Sequence, residues 1–449
     1  MGRLFGTDGV RGIANKELTC ELALQIGRAA ATVLTDAENR HPRILIGKDT
    51  RISSDMLEAA ITAGLCSVGA DVVQLGVIPT PAVAFLVGKY EADAGVMLTA
   101  SHNPCQFNGI KIFSGDGYKL PDELEDKIET IVLSGGKGVP VPVGGNIGTV
   151  TVEPDAVEDY INHIAETVLD SLDGLHIGID CANGAASRTA EKLFTKLGAE
   201  CHMISDQPNG VNVNDRCGST HMESLMAFVR EAGLDAGVAF DGDADRCLAV
   251  DDKGKLVDGD FVMAICAADM KSRGVLAKDT TVGTIMTNMG FSRFCEDNGM
   301  HFEATKVGDR YVLEKMQQEG YNFGGEQSGH VIFLDYATTG DGELTAAQLL
   351  AIMKRRQAKL SSLATLMTRY PQVLINVEVE PDGKKRFATD EKVAAAVEKA
   401  RKQLGSDGRI IVRPSGTEPL LRVMVEGLDK KLIHTVAESV AAVVKEQLA

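Results

Sequence analysis

The chain has 449 residues, and at ~150 residues per domain that length predicts about three domains rather than one compact core. Hydrophobic residues at 44% and charged residues at 24% exclude a collagen-like or wholly disordered chain. Sixty-three acidic against 46 basic residues leave a formal charge of -17, which repels a phosphate backbone and argues against nucleic-acid binding, although a few Arg and Lys in a cleft can still attract a small anion.

The opening segment, Met1-Gly2-Arg3-Leu4-Phe5-Gly6-Thr7-Asp8, has no apolar stretch of signal-peptide length, and no later run approaches the ~20 apolar residues that span a bilayer. Nine scattered cysteines, never in a C-x-x-C arrangement, read as reduced thiols. A cytoplasmic protein without membrane contact is expected. The first apolar β-type run, Ile44-Leu45-Ile46-Gly47-Lys48-Asp49, leads into a polar loop, an amphipathic helix and a second strand at 71–75. The pattern returns at Ile177-Gly178-Ile179-Asp180, with a helix at 189–197 and a strand at 200–204. It returns again at Val282-Gly283-Thr284-Ile285-Met286, with a helix at 291–298 and a strand at 302–305. Strands alternating with helices predict three related α/β domains with mixed, parallel-rich sheets.

Each unit has a further strand that ends in a loop of unusual chemistry, and the first two strands share the lead-in Asp-Ala-Gly-Val at 93–96 and 235–238. The loops are Thr99-Ala100-Ser101-His102-Asn103-Pro104, Asp241-Gly242-Asp243-Ala244-Asp245-Arg246 and Gly325-Glu326-Gln327-Ser328-Gly329-His330. If the units are equivalent, the loops face one cleft, as ligands do at strand ends in open α/β sheets. A Gly- and Pro-rich connection at 134–146, a helix at 153–172, a turn-rich patch at 251–255, and a helical stretch ending at Tyr370-Pro371 set domains at 1–153, 154–255, 256–369 and 370–449. The last, with strands at 373–379, 409–412 and 421–427 and helices at 390–404 and 431–448, reads as a smaller α+β domain.

Asp241, Asp243 and Asp245 alternate, so an extended segment points all three carboxylates to one face, where a divalent cation that prefers oxygen ligands, Mg²⁺ by choice, relieves their repulsion. An EF-hand loop is disfavoured because Arg246 stands where that loop needs Gly; a solvated acidic turn and a phosphatase with a nucleophilic first Asp stay open. Ser101 beside His102 reads alone as a turn cap, but a serine near a metal loop suits phosphoryl transfer. Lys111 can serve as general acid or base if burial or neighbouring charge lowers its pKa. Glu326, Ser328 and His330 alternate between glycines, a set suited to polyol recognition, with a plain Gly-rich turn as the alternative. Arg413-Pro414-Ser415-Gly416-Thr417-Glu418-Pro419, with Arg422 beyond, offers backbone N–H groups, hydroxyls and guanidinium to a phosphate, on a loop stiffened by two prolines.

Together these loops resemble the α-D-phosphohexomutase family across the whole chain, through five motifs in the family's order: Phe5-Gly6-Thr7-Asp8-Gly9-Val10-Arg11-Gly12, the three loops above and residues 413–419. Gln327, where the glucose and mannose members usually have Met, is similar to the glucosamine branch. The resemblance implies four domains around a cleft that the C-terminal domain closes. It implies a phosphoryl group on Ser101 and Mg²⁺ bound by Asp241, Asp243, Asp245 and an oxygen of that phosphate. Arg11 and Arg246 would stabilise the transferring group, Lys111 would shuttle a proton, and His102 would lie beside the serine. Glu326 and Ser328 would hold sugar hydroxyls near His330, and Arg413, Ser415, Gly416, Thr417 and Arg422 the nonreacting phosphate. The implied reaction interconverts glucosamine 6-phosphate and glucosamine 1-phosphate through glucosamine 1,6-bisphosphate, supplying UDP-N-acetylglucosamine for the cell wall. A glucose or mannose phosphate mutase, a metal-dependent sugar phosphatase and a non-catalytic sugar-phosphate sensor are the alternatives. The expected partner is a small sugar phosphate, and homodimerisation is left open.

Overall fold

The computed structural model describes residues 4–6, 8–34, 41–380, 382–415 and 420–449. They form two compact units, 1–286 with 300–366 and 287–299 with 367–449.

The first unit holds three sheets. β1 (Val10–Ile13), β2 (Arg43–Lys48), β3 (Asp71–Val77), β4 (Ala94–Leu98), β5 (Phe107–Ser114) and β6 (Val150–Val152) lie in the order β1-β5-β4-β2-β3-β6. β7 (His176–Asp180), β8 (Glu200–Ile204), β9 (Ala236–Phe240), β10 (Cys247–Asp251) and β11 (Leu256–Val257) lie in the order β11-β10-β9-β7-β8. β12 (Thr280–Thr284), β13 (His301–Thr305), β14 (Phe323–Gly325) and β15 (Val331–Phe333) lie in the order β13-β12-β14-β15.

One four-strand arrangement recurs in all three: β3-β2-β4-β5, β8-β7-β9-β10 and β13-β12-β14-β15, each with three parallel strands and a fourth antiparallel one. The three α/β domains with parallel-rich mixed sheets are therefore present. Each chemically unusual loop connects the third strand of its sheet to the antiparallel fourth, so the three occupy equivalent places. The supporting strands are buried throughout, as β4 and β9 are at every residue, because helices cover both faces and leave no side for alternating polar residues.

Some elements differ from expectation. The helix expected at 153–172 is Ala156–Glu166. β6 follows the Gly- and Pro-rich connection and carries three exposed residues, so no buried alternation marks it. Helical structure stops at Leu366, short of Tyr370-Pro371. Its main element is the helix Gly342–Arg356, buried over its first 12 residues, capped by Asp341 accepting from Leu344 N, with Lys354, Arg355 and Arg356 at its C-terminal, electronegative end.

In the second unit β16 (Gln372–Glu378), β17 (Gly408–Pro414) and β18 (Leu420–Gly427) form an antiparallel sheet in the order β16-β18-β17. The helix Lys430–Leu448 buries Ile433, Val436, Ala437, Val440, Ala441, Val444 and Leu448, a stripe at 3–4-residue spacing that packs on Val423 and Val425 of β18.

Candidate active site

Ser101 is buried in the β4–β5 loop with a left-handed backbone, φ 52°. That conformation costs about 1–3 kcal/mol for a residue with a side chain, so the surroundings must hold it. Arg51 does so from the loop after β2. Its Nη1 donates to Pro104 O (2.7 Å) and Phe107 O (3.0 Å), its Nη2 to Ser101 O and Asn103 O (both 2.8 Å), and its Nε to Asp49 Oδ2 (2.7 Å). Asp49 also accepts from Thr99 Oγ1 (2.7 Å), which in turn accepts from Ser101 N (2.9 Å). Asn214 of the second α/β domain donates to Ser101 O (2.9 Å) and Asn103 O (3.1 Å). The two loops approach so closely that a Cβ at Gly242 would stand 2.6 Å from Ser101 O, which only glycine tolerates.

Ser101 Oγ donates to Asp241 Oδ2 at 2.7 Å. Asp241, Asp243 and Asp245 converge as expected, but through a tight turn rather than an extended segment: Ala244 N bonds to Asp241 O at 3.0 Å, and Ala244 is left-handed. Lys111 Nζ lies 2.8 Å from Asp243, 3.2 Å from Asp245 and 3.1 Å from Asp8, and Thr80 Oγ1 donates to Asp243 Oδ2 at 2.5 Å. Burial alone would lower the Lys111 pKa, but Asp243, Asp8 and Asp245 outweigh it and hold the ammonium well above its ordinary value. This reverses the lowered pKa on which a freely basic Lys111 depended, because three carboxylates surround it.

Asp241 is pushed up to about 8, first by burial and then by the charges of Asp245 and Asp243. One oxygen of each carboxylate, Oδ1 in all three, is buried without a hydrogen-bond partner, and ligand atoms of the three lie within 4.8 Å of one another. Buried orphan carboxylate oxygens are costly unless a cation meets them, so the triplet fits a hard divalent ion.

Arg246 Nη1 donates to His102 Nδ1 at 2.9 Å. Burial, Arg246 and Arg11 push His102 down to about 4, so its ring is neutral at pH 7. Ser101 Oγ lies 3.3 Å from the same nitrogen, but its proton points to the nearer Asp241, so Ser101 and His102 do not form a nucleophile–base pair. Arg11 on β1 pairs with Asp8, and Asp8 accepts from Lys119 at 2.6 Å. Lys119 also pairs with Asp309, which lies 3.4 Å from His330 Nε2. Thr80, Lys119 and Asp309, like Arg51 and Asn214, lie outside the five motifs, and Asp8 lies inside the first of them without a role of its own having been assigned.

The third loop is a closed turn, with Glu326 N bonding to His330 O (2.9 Å) and Gly329 N to Glu326 O (3.0 Å). Ser328 is exposed. Glu326 Oε1 accepts from Gly308 N at 3.2 Å. His330 turns inward to within 3.7 Å of Asp245, against Gly340, whose N–H donates to Nε2 and where a Cβ would strike the ring at 2.5 Å. Gln327 Nε2 donates to the buried Asp260 at 3.1 Å and so anchors the loop.

The second unit carries its own cationic group. Arg413 and Arg422 face each other in the β17–β18 register, and burial followed by the Arg422 charge lowers the Arg413 pKa. Like charges directly opposed on a sheet are unfavourable until an anion joins them. Lys384 Nζ donates to the buried Ser415 O at 2.7 Å, a basic partner that sequence distance concealed. Gly416, Thr417 and Pro419 lie outside the described residues.

A sheet-end cluster of serine, carboxylates and cations, with a separate arginine pair, is a set of groups suited to handling phosphoryl groups. Family models match in chain order: phosphoglucomutase/phosphomannomutase alpha/beta/alpha domain I at residues 2–138, domain II at 158–254, domain III at 258–370 and the C-terminal domain at 374–443. The chain belongs to this family, the α-D-phosphohexomutases. It is 53% identical to a phosphoglucosamine mutase of Clostridium acetobutylicum and 54% identical to one of Caldanaerobacter subterraneus subsp. tengcongensis, in each case over 100% of both chains. In fold it is similar to a phosphoglucomutase/phosphomannomutase family protein from Burkholderia thailandensis, with TM-score 0.85, 23% identity, and 100% of this chain and 98% of that one covered. No helix among the described residues is long and apolar enough to cross a membrane.

Proposed function

We propose that the chain interconverts glucosamine 6-phosphate and glucosamine 1-phosphate, with Ser101 as phosphoryl carrier and glucosamine 1,6-bisphosphate as intermediate. The observation that carries this reading is Ser101 Oγ held 2.7 Å from Asp241 within a carboxylate triplet at equivalent strand ends, in a chain more than 50% identical to phosphoglucosamine mutases. The Ser101 Oγ–phosphorus bond breaks as a sugar hydroxyl forms its own bond to phosphorus, and the proton that the sugar hydroxyl gives up is matched by one gained at the departing Ser101 Oγ. The bisphosphate then turns over, and its other phosphoryl group returns to Ser101. Asp241, Asp243 and Asp245, with an oxygen of the serine phosphate, would hold Mg²⁺, which supplies charge neutralisation to the transferring group.

Arg11 and Arg246 add cationic stabilisation to the transferring group. The His102 ring is neutral and orients Arg246. Lys111 is held as an ammonium, so its first act is to donate a proton, and it accepts one only after that. Glu326 and Ser328 bind the sugar hydroxyls, His330 supports the carboxylate triplet, and Arg413, Ser415, Gly416, Thr417 and Arg422 grip the nonreacting phosphate. Nine unpaired cysteines suit a reducing, cytoplasmic setting.

The test is to incubate the enzyme with glucosamine 6-phosphate, Mg²⁺ and a trace of the 1,6-bisphosphate, and to follow phosphorus NMR. Glucosamine 1-phosphate is the expected product. Free sugar with inorganic phosphate would indicate a phosphatase, and an unchanged spectrum a sensor. Ser101→Ala is expected to abolish conversion and remove the phosphoryl group that intact-protein mass spectrometry detects on the wild type.

A further inference from the structure

The N-terminal ends of β7 and β8 lie at the opposite end of their sheet from the aspartate loop, because β7 and β9 run parallel and that loop follows the C-terminal end of β9. His176 opens β7, and in register it pairs with Glu200 of β8, while Gly178 pairs with His202. Residues two apart in a strand share a face, so Glu200 and His202 stand beside His176 and Cys201 turns away. His176 Nδ1 and His202 Nε2 each lie 3.4 Å from the same oxygen, Glu200 Oε1. The two rings stack with centroids 6.0 Å apart, and a ligand atom from each of the three residues lies within 4.8 Å of the other two. His202 Nε2 is shielded from solvent yet makes no hydrogen bond.

These separations are long for a charge-assisted hydrogen bond and right for something else. Four ligands around a zinc-like ion at ~2.0–2.1 Å stand ~3.3–3.4 Å from one another along the edges of the tetrahedron. One carboxylate oxygen equidistant from two imidazole nitrogens at that spacing reproduces two such edges. We propose that His176, Glu200 and His202 form a second metal site, for a borderline transition ion of the Zn²⁺ type, with water completing the coordination. Its imidazoles select against the hard cation that the all-oxygen triplet suits, so the two sites sort ions by ligand chemistry. The bound ion would clasp β8, the edge strand of its sheet, to β7. The site stands apart from the phosphoryl chemistry, and its fate does not depend on the reading of the activity.

The test is calorimetric titration of the chelator-stripped, full-length protein with ZnCl₂ in saturating Mg²⁺. One equivalent binding in the micromolar range is expected, retained in Asp241→Asn and in the exposed control His221→Ala, and weakened at least about 10-fold in His176→Ala, His202→Ala and Glu200→Gln. Co²⁺ in place of zinc is expected to give the visible absorption of a tetrahedral centre, lost in the same three variants while mutase turnover in Mg²⁺ is unchanged. His176 and Glu200 are exposed and His202 is half-buried, and circular dichroism with the conservative His202→Gln checks that the fold persists. Binding no tighter than about 1 mM, binding indifferent to both histidine substitutions, or binding lost in Asp241→Asn would each overturn the site.

Discussion

Arg51 places all five of its N–H donors inside the protein, one on Asp49 and four on carbonyls of the serine loop and its flank. Lysine has three donors and no planar fork, so Arg51→Lys leaves buried carbonyls unmet at ~1–3 kcal/mol each and loosens the turn that fixes Ser101. A displacement of about 1 Å at a reacting atom costs on the order of 100-fold. We therefore expect Arg51→Lys to lower kcat about 100-fold with KM nearly unchanged. Asn214→Ala, which leaves Arg51 on the same carbonyls, should lower kcat only about 10-fold. Steady-state kinetics on glucosamine 6-phosphate separate these effects, and a loss confined to KM would show that the clamp serves binding instead.

Asp243 divides its work, with Oδ2 engaged by Lys111 and Thr80 and Oδ1 left to a cation. Asp243→Asn should raise the Mg²⁺ concentration for half-maximal activity about 10-fold or more, and a chelator should abolish wild-type turnover. Ser101 and the triplet were legible from sequence because their chemistry sits in side chains at regular spacing. Arg51 and Asn214 were not, because their partners are backbone carbonyls, which leave no trace in residue identity. Lys111 was legible as a residue, but the carboxylates that hold its ammonium were not, since nothing in its neighbourhood along the chain announces Asp8, Asp243 and Asp245 as its partners.

At the scale of elements, the parallel strands were legible because they are continuous apolar runs, and their shared lead-ins marked the loops as equivalent. The antiparallel fourth strands, β6 and the helix Gly342–Arg356 were harder. A helix buried nearly all round shows little polar periodicity, and β6 has no buried side to alternate with. That helix also buries Glu343, whose carboxyl burial pushes well above its ordinary range and to which Thr189 donates a hydrogen bond. A carboxyl with a raised folded-state pKa keeps its proton when the unfolded chain has released it. Its stability contribution is thus complete below the ordinary carboxylate pKa and is lost progressively as pH rises above it. Glu343→Gln keeps an acceptor for Thr189 without that loss. Its melting temperature relative to wild type should rise from near zero difference at pH 4.5 to several degrees higher at pH 8, as scanning calorimetry would register; a difference that shrinks with pH would contradict the burial argument.

At the scale of the whole molecule, chain order and packing order part company. Residues 287–299 belong in sequence with the third sheet but pack with 367–449. Asn288 donates to Tyr370 O and Glu426, Met289 N donates to Glu426, and Glu426, fully buried, accepts from Arg409 at 2.6 Å. No spacing rule could have shown this, because the partners lie more than 80 residues apart along the chain. A chain ended at residue 369 would strip these partners from a helix that stays behind. We expect that truncation to melt lower and scatter light on heating, where wild type does not; an unchanged melting temperature would show that the segment does not depend on its late partners.

The same interleaving sets a clock on synthesis. The helix Met289–Asp297 buries Phe291, Phe294 and Cys295, and the rest of the unit it belongs to, 367–449, is made last. With roughly 150 residues still to be added at ~5–20 residues per second, that apolar face waits ~8–30 s for its cover. During that interval the nascent chain carries an apolar helix face without the rest of its unit, the kind of transient exposure that makes a partly made chain prone to aggregate.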